Sequence, residues 1–519
     1  MSQARLQDAL QLRRAGKLAQ AAELYRQILS DEPGHFEALH ALGILNYQSG
    51  QLETAERLIR QAVAANPNAA DAAYNHACLL QRLNRLDEAL FAFDAALGLR
   101  PNYLEALVNR GGVLRALGRY EEALANAQRV VTLKPDLAEG WNNHGGVLLA
   151  LERFDEALGS FDRALALKPN YADAWKNRGV VLTMLRRHDD GLTAIDKALM
   201  GMPNDPELLG RRADLLALLS RPEEATATYE RYLALKPEDA NAWHARGFAL
   251  KLLNRGPEAL TCFDNAVRFA PDNLAMRESR GTLLFVLERF EEAARDYQML
   301  LTGDAPPSWV AGYLALCHLH CCDWRSLEPE RAKISAGIKA GHFALDPTGN
   351  AILSQSLNEQ LQCARIWARE KYPPPPVRLW NGEIYRHERI RVAYLSADFR
   401  AHATAFLMAG IFEQHDKARF ETVAISYSGD DRSAMRARLE ASFDRFIDVR
   451  DRSDAQVAKM LRNMEIDIAV DLKGYTAESR PGILSYRPAP VQVHYLGFPG
   501  TMGVDCIDYL IADPIVIPQ

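Results

Sequence analysis

The residues best suited to chemistry lie late in the chain, in the stretch RVAYLSADFRAHAT from Arg391 to Thr404. It reads as a buried strand (391–395), a tight polar loop (396–401) and a helix start at His402. The neutral imidazole of a histidine can accept or donate a proton near pH 7. The carboxyl edge of an α/β sheet, where a strand gives way to a helix, is where such folds keep their reactive groups. Two further polar loops follow strands: KGYTAESRPG from Lys473 to Gly482, and GFPGTMG from Gly497 to Gly503. Their glycines permit close backbone approach. Asp398 and Asp471 stand at strand ends and read as supporting or loop-capping groups. His494 falls inside a strand and reads as a packed sheet residue. No G-x-G-x-x-G or G-x-x-x-x-G-K-[ST] occurs at a strand-to-helix turn here, so neither a dinucleotide site nor a P-loop is supported. LCHLHCCDW (316–324) looks metal-binding at first sight. On a helix, however, Cys317 and Cys321 share one face while His318 and Cys322 share another, so the reading is a helix with free thiols and no metal.

The elements that must hold these loops alternate. Strands are expected at 390–395, 420–427, 443–449, 466–472, 491–496 and 509–512, with helices at 404–414, 433–442 and 453–464. Segment 466–472 is almost wholly apolar, as a parallel strand buried on both faces requires. This βαβα order predicts a doubly wound parallel sheet, a Rossmann-like lobe over 389–519. Ahead of it, Pro373 to Pro376 form a stiff spacer, and 306–388 reads as a helical connector.

The first three hundred residues repeat. Prolines stand at 33, 67, 101, 135, 169, 203, 237 and 271, each interval being 34 residues. A fixed period of this size marks an α-solenoid. Small residues recur at 9, 43, 77, 111, 145, 179, 213, 247 and 281, where paired helices must approach closely. Bulky residues fill much of the column Tyr25, Ile59, Phe93, Phe161, Ile195, Tyr229, Phe263, Tyr297. The unit resembles the tetratricopeptide repeat, with Trp141, Gly145, Ala157, Phe161, Ala164 and Pro169 at signature positions. About nine units are expected over 1–305. Asn75, Asn109, Asn143 and Asn177 share one phase on the first helix of their units. An amide both donates and accepts, so this ladder could hold the backbone of an extended peptide in the groove; alternatively, each amide bonds to the neighbouring repeat.

Charge and composition exclude other classes. A net charge of −6 gives no electrostatic case for nucleic acid. No apolar run reaches the length of a membrane span. Seven scattered cysteines suggest free thiols and a reducing compartment, the cytoplasm.

The repeat array, Cys322–Trp324, SADFRAHAT, and the block RPAPVQVHYLGFPGT (487–501) together resemble the protein O-GlcNAc transferase family, with the plant Spindly-type proteins as relatives. The resemblance implies a two-lobed glycosyltransferase fold, of which 389–519 is the N-terminal lobe. It also implies inverting transfer of N-acetylglucosamine from UDP-GlcNAc to Ser or Thr of proteins recruited by the repeats, without a cofactor. The Spindly-type relatives bring GDP-fucose as an alternative donor, and a non-catalytic repeat scaffold is a third reading. By resemblance His402 is the active-site histidine, in an H-x-T motif with Thr404, although Ala403 stands where the family usually has proline. Gly474, Tyr475, Thr476, Pro499, Gly500 and Thr501 then face sugar and acceptor, and dimerisation through the repeats is possible. The expectation is that the chain ends after one lobe and, alone, transfers little sugar.

Overall fold

The computed structural model describes residues 2–498 and 500–512. The repeats fold as paired antiparallel helices, for example Ala138–Ala150 with Phe154–Leu167. The packing follows the sequence columns. A Cβ on Gly145 would lie 2.7 Å from the Phe161 ring, so the small residue is what lets the fully buried aromatic cross between helices. The turn between the two helices of each unit repeats as well. Gly16, Gly50, Asn84, Gly118, Glu152, Arg186, Ser220, Asn254 and Glu288 all adopt left-handed backbone with φ between 56 and 79°. This is the usual way to close a helix C-terminus.

Cys322 continues that series with φ 55°, one period after Glu288. The helix Val310–His320 precedes it and packs on the helix Phe290–Leu300. A tenth helical turn therefore lies beyond residue 305, where the sequence lattice was expected to stop. The proline and large-residue columns fade here, but Ala315 keeps the small-residue column and the backbone keeps the phase. The chain divides into residues 1–262 and 263–519, inside the helix Gly256–Phe269, because every repeat leans only on its neighbours.

The cysteine-rich run belongs to this continuation. Cys317 is buried, which pushes its thiol up to about 12. His318 Nδ1 lies 2.7 Å from Glu330 Oε1, and the His320 ring stacks on Phe290 at 4.0 Å. The two histidines thus turn to different partners. All seven cysteines are free thiols.

The lobe is a six-stranded sheet in which every pairing is parallel. Its strands are β1 (Ile390–Ser396), β2 (Phe420–Ser426), β3 (Arg445–Asp448), β4 (Ile468–Asp471), β5 (Val491–Tyr495) and β6 (Tyr509–Ile511), in the order β3-β2-β1-β4-β5-β6. Alternation along β1 sends Val392 and Tyr394 into one buried cluster and Ala393 and Leu395 into another. Both faces are thus covered, as the apolar runs predicted. The helix Leu357–Lys371 packs on the lobe through Ala364, against Tyr475, Phe498 and Met502. Packing therefore crosses the proline spacer. Among the described residues no helix is long and apolar enough to cross a membrane.

Replacing Phe161 by Ala is expected to cost about 3–5 kcal/mol, the usual range for a buried aromatic. The urea midpoint of the repeat array, followed by circular dichroism, should fall accordingly; an unchanged midpoint would contradict this packing.

Candidate functional site

Parallel pairing brings the carboxyl ends of β1, β4 and β5 side by side, with Leu395 opposite Asp471 and Asp471 opposite His494. The three polar loops therefore leave the sheet together. After β1 the chain turns through Asp398, whose N–H donates to Ser396 Oγ at 2.9 Å. It reaches the helix Ala403–Glu413, for which His402 is the N-cap. The Thr404 N–H donates to His402 Nδ1 at 3.2 Å. An Nδ1 that accepts this bond leaves the proton of the neutral ring on Nε2, so the ring presents a donor outward. The His402 side chain is 41% exposed, and Asp398 Oδ2 lies 3.5 Å from its Nδ1.

Asp398 is itself engaged. Lys473, the first residue of the loop named after β4, places Nζ 3.0 Å from both carboxylate oxygens. Asp398 is 3% exposed and Lys473 6%. A buried pair of this kind holds together only because each charge has the other, and removal of one partner typically costs about 3–5 kcal/mol. The sequence points to Asp398 but not directly to Lys473. Its signal was there: with β1 beside β4, residues just past the two strand ends must meet.

Asp471 ties the second loop to the third. Its Oδ1 accepts from the Lys473 N–H at 3.1 Å, and its Oδ2 from the Gly474 N–H at 2.8 Å. His494 Nδ1 lies 3.0 Å from the same Oδ2, and His494 Nε2 lies 3.2 Å from the Phe498 carbonyl. Fully buried His494 is a packed sheet residue, and Asp471 is a loop cap, as read from the sequence. Gly474 has φ +58°, and a Cβ there would lie 2.4 Å from Phe498 Cβ. A Cβ on Gly497 would meet the Leu472 carbonyl oxygen at 2.0 Å. Neither position admits another residue without movement of a loop.

The remaining sequence-derived residues divide. Tyr475, expected to face substrate, is buried against Phe498 and Met502, and its hydroxyl donates to the Met502 carbonyl at 2.6 Å. The ring fills the space beneath the loops, and burial pushes its hydroxyl well above the usual tyrosine range. Thr476 is half-buried, and its hydroxyl donates to the Lys473 carbonyl at 2.9 Å. Gly500 and Thr501 line a cavity of about 1140 Å³ with Leu357, Leu361, His494 and the β6 residues. Thr404 stays beside His402 at the helix start. Pro499 lies outside the described residues.

In the repeats, successive first helices from Phe36–Gln48 to Ala172–Met184 approach one another and form the inner side. Here the asparagine ladder is largely committed to the array. Asn75 Nδ2 lies 2.8 Å from His40 Nε2; Asn109 donates to the Tyr74 hydroxyl at 3.0 Å, and Asn177 to Asn142 Oδ1 at 3.1 Å. Each partner stands 35 residues earlier. The residue in that position for Asn143 is Val108, whose side chain has no acceptor, so the Asn143 side chain lacks the bond that the other three make. Beyond the ladder, the same helix face, seven residues on, presents Met184, Leu218 and Leu252, which are 59%, 65% and 71% exposed.

A tetratricopeptide-type solenoid followed by a parallel α/β lobe with a polar strand-end site is the class these features define. Residues 373–519 match the model of glycosyl transferase family 41. Tetratricopeptide repeat families match residues 12–77, 74–138, 143–208 and 249–308. The chain is 34% identical over 182 residues to a probable UDP-N-acetylglucosamine–peptide N-acetylglucosaminyltransferase, SEC, of Arabidopsis thaliana, covering 34% of this chain and 18% of that protein. It is 32% identical over 145 residues to the Caenorhabditis elegans UDP-N-acetylglucosamine–peptide N-acetylglucosaminyltransferase, covering 28% and 13% of the two chains. To the Arabidopsis protein SPINDLY, named a probable enzyme of the same activity, it is 28% identical over 171 residues, covering 32% and 19%. The matched segments thus span less than a fifth of these relatives. A solved mutant of the Thermobaculum terrenum O-GlcNAc transferase superposes with a TM-score of 0.36 at 23% identity, over 59% of this chain and 53% of that one.

The network carries a pH signature. Burial alone would push His494 down, but its hydrogen bond to Asp471 and that carboxylate's charge outweigh burial and raise it. A raised folded value means that the protonated ring stabilises the lobe fully below the unfolded value of about 6.5. That stabilisation is lost as pH rises through the higher folded value. The melting temperature of the lobe is expected to fall across this window, and His494→Asn to remove the slope. A slope retained in the variant would assign it to another group.

Proposed function

We propose that the protein is a protein O-glycosyltransferase that transfers N-acetylglucosamine from UDP-GlcNAc to Ser or Thr hydroxyls of polypeptides held by the repeats. The observation that carries this reading is the family 41 lobe, with His402 held on the strand-end edge as a helix cap and its ring half exposed. The relatives' names support the acetylglucosaminyl donor over GDP-fucose. In the reaction the acceptor hydroxyl oxygen attacks the anomeric carbon, the C–O bond to the diphosphate breaks with inversion, and UDP departs with the bonding pair, a diphosphate oxygen taking up the hydroxyl proton. His402, with its outward Nε2–H, donates a hydrogen bond that orients acceptor and sugar, and Thr404 fixes the ring through its backbone N–H. Gly474 and Thr476 shape the neighbouring loop, and Gly500 and Thr501 line the adjoining cavity. Free cysteines fit a reducing compartment, the cytoplasm.

The repeats deliver the acceptor. Asn75, Asn109 and Asn177, with donors committed to the array, offer an incoming backbone their acceptor oxygens. Asn143 offers both donor and acceptor. Met184, Leu218 and Leu252 continue this face with apolar anchors for acceptor side chains.

Transfer is measured with the full-length gene product, offered UDP-GlcNAc and GDP-fucose in parallel. Incorporation from UDP-GlcNAc is expected, with His402→Ala slowing it by about a hundredfold, the scale for loss of one oriented donor. No incorporation from either donor would leave the repeat-scaffold reading. In the groove, Asn143→Ala is expected to weaken acceptor-peptide binding by roughly fivefold, for one hydrogen bond of about 1 kcal/mol, without lowering the stability of the array. Equal affinity of variant and wild type in fluorescence polarisation would remove Asn143 from the acceptor site.

A further inference from the structure

We infer that Lys473 is a positioning residue that acts through Asp398: by neutralising that carboxylate it keeps the His402 ring in the capping state, with Nδ1 accepting and Nε2–H directed outward. The inference rests on the proposed role of His402 in transfer, but its test does not depend on transfer.

Two states compete for one atom. In the neutral ring, Nδ1 accepts from the Thr404 N–H at 3.2 Å. In the protonated ring, Nδ1 would carry a proton and turn it toward Asp398 Oδ2, already 3.5 Å away. The cap would then lose its acceptor, and a cation would sit at a helix N-terminus, where the dipole opposes it. Which state prevails depends on how much negative charge Asp398 offers. Lys473 Nζ holds both carboxylate oxygens at 3.0 Å, out of contact with bulk water. The other charges around the loop are spent elsewhere. Arg400 pairs with Glu478 at 2.8 Å, and Asp431 accepts from the Ala401 N–H at 2.8 Å. Among the described residues, Asp398 is the carboxylate within reach of the ring, and Lys473 is its counter-charge.

The test is a proton NMR titration of the His402 ring in the whole chain, with histidine labelled at Cε1 and His402→Gln used for assignment. In Lys473→Met the bare carboxylate is expected to move the His402 midpoint up by roughly one pH unit, as an opposite charge at this distance does. In Asp398→Asn, which leaves the lysine cation, the midpoint should move down. In the double variant Asp398→Asn, Lys473→Met it should return to within a few tenths of the wild-type value. The double variant removes both charges together, so it is testable even if Lys473→Met does not fold, and Asp398→Asn then supplies the second arm. A purely structural lysine would leave Lys473→Met at the wild-type midpoint and the double variant at the midpoint of Asp398→Asn. That result, or a downward shift in Lys473→Met, would overturn the inference.

Discussion

The buried contact between Asp398 and Lys473 is the interaction on which the strand-end site depends. It joins residues 75 positions apart, each just beyond the end of its own strand. Two charges taken out of water this far must satisfy one another, because an isolated charge in such surroundings carries a desolvation penalty of several kcal/mol. The pair therefore fixes where the loop after β1 can lie relative to the loop after β4. The second loop is bound in turn to the third through Asp471, which caps its backbone and meets His494 on β5. His494 closes the chain of contacts at the Phe498 carbonyl. One chain of polar contacts thus links three loops from three strands.

These links matter for a group such as His402. A capping histidine has its ring orientation set by one backbone N–H. Its usefulness toward a substrate depends on which nitrogen carries the proton, and a neighbouring carboxylate can change this. The loops thus do more than shape a surface: their polar contacts decide which face of the imidazole is a donor. Tyr475 belongs to the same construction from below, as packing beneath the loops rather than as a hydroxyl offered to solvent.

The sequence made the large architecture legible because its periods are physical. A proline every 34 residues must end a helix each time, and apolar runs between polar loops must be buried strands. The tenth turn at Cys322 escaped because it keeps the backbone phase while losing the proline that marks it. His402, Asp471 and His494 could be placed by their positions in strands and loops. Lys473 required the strand order as well, since only with β1 beside β4 do the residues just past the two strand ends meet. The asparagine ladder was visible as a column, but what each amide bonds to depends on the residue one repeat earlier: His40, Tyr74 and Asn142 are acceptors, and Val108 is not.

The central claim, that one polar network holds all three loops, is tested most directly by hydrogen–deuterium exchange of the whole chain, wild type against Lys473→Met. The account predicts that amides in 396–404, 473–482 and 496–503 lose protection together in the variant. Loss of protection confined to 473–482, the loop that carries the substitution, would contradict it.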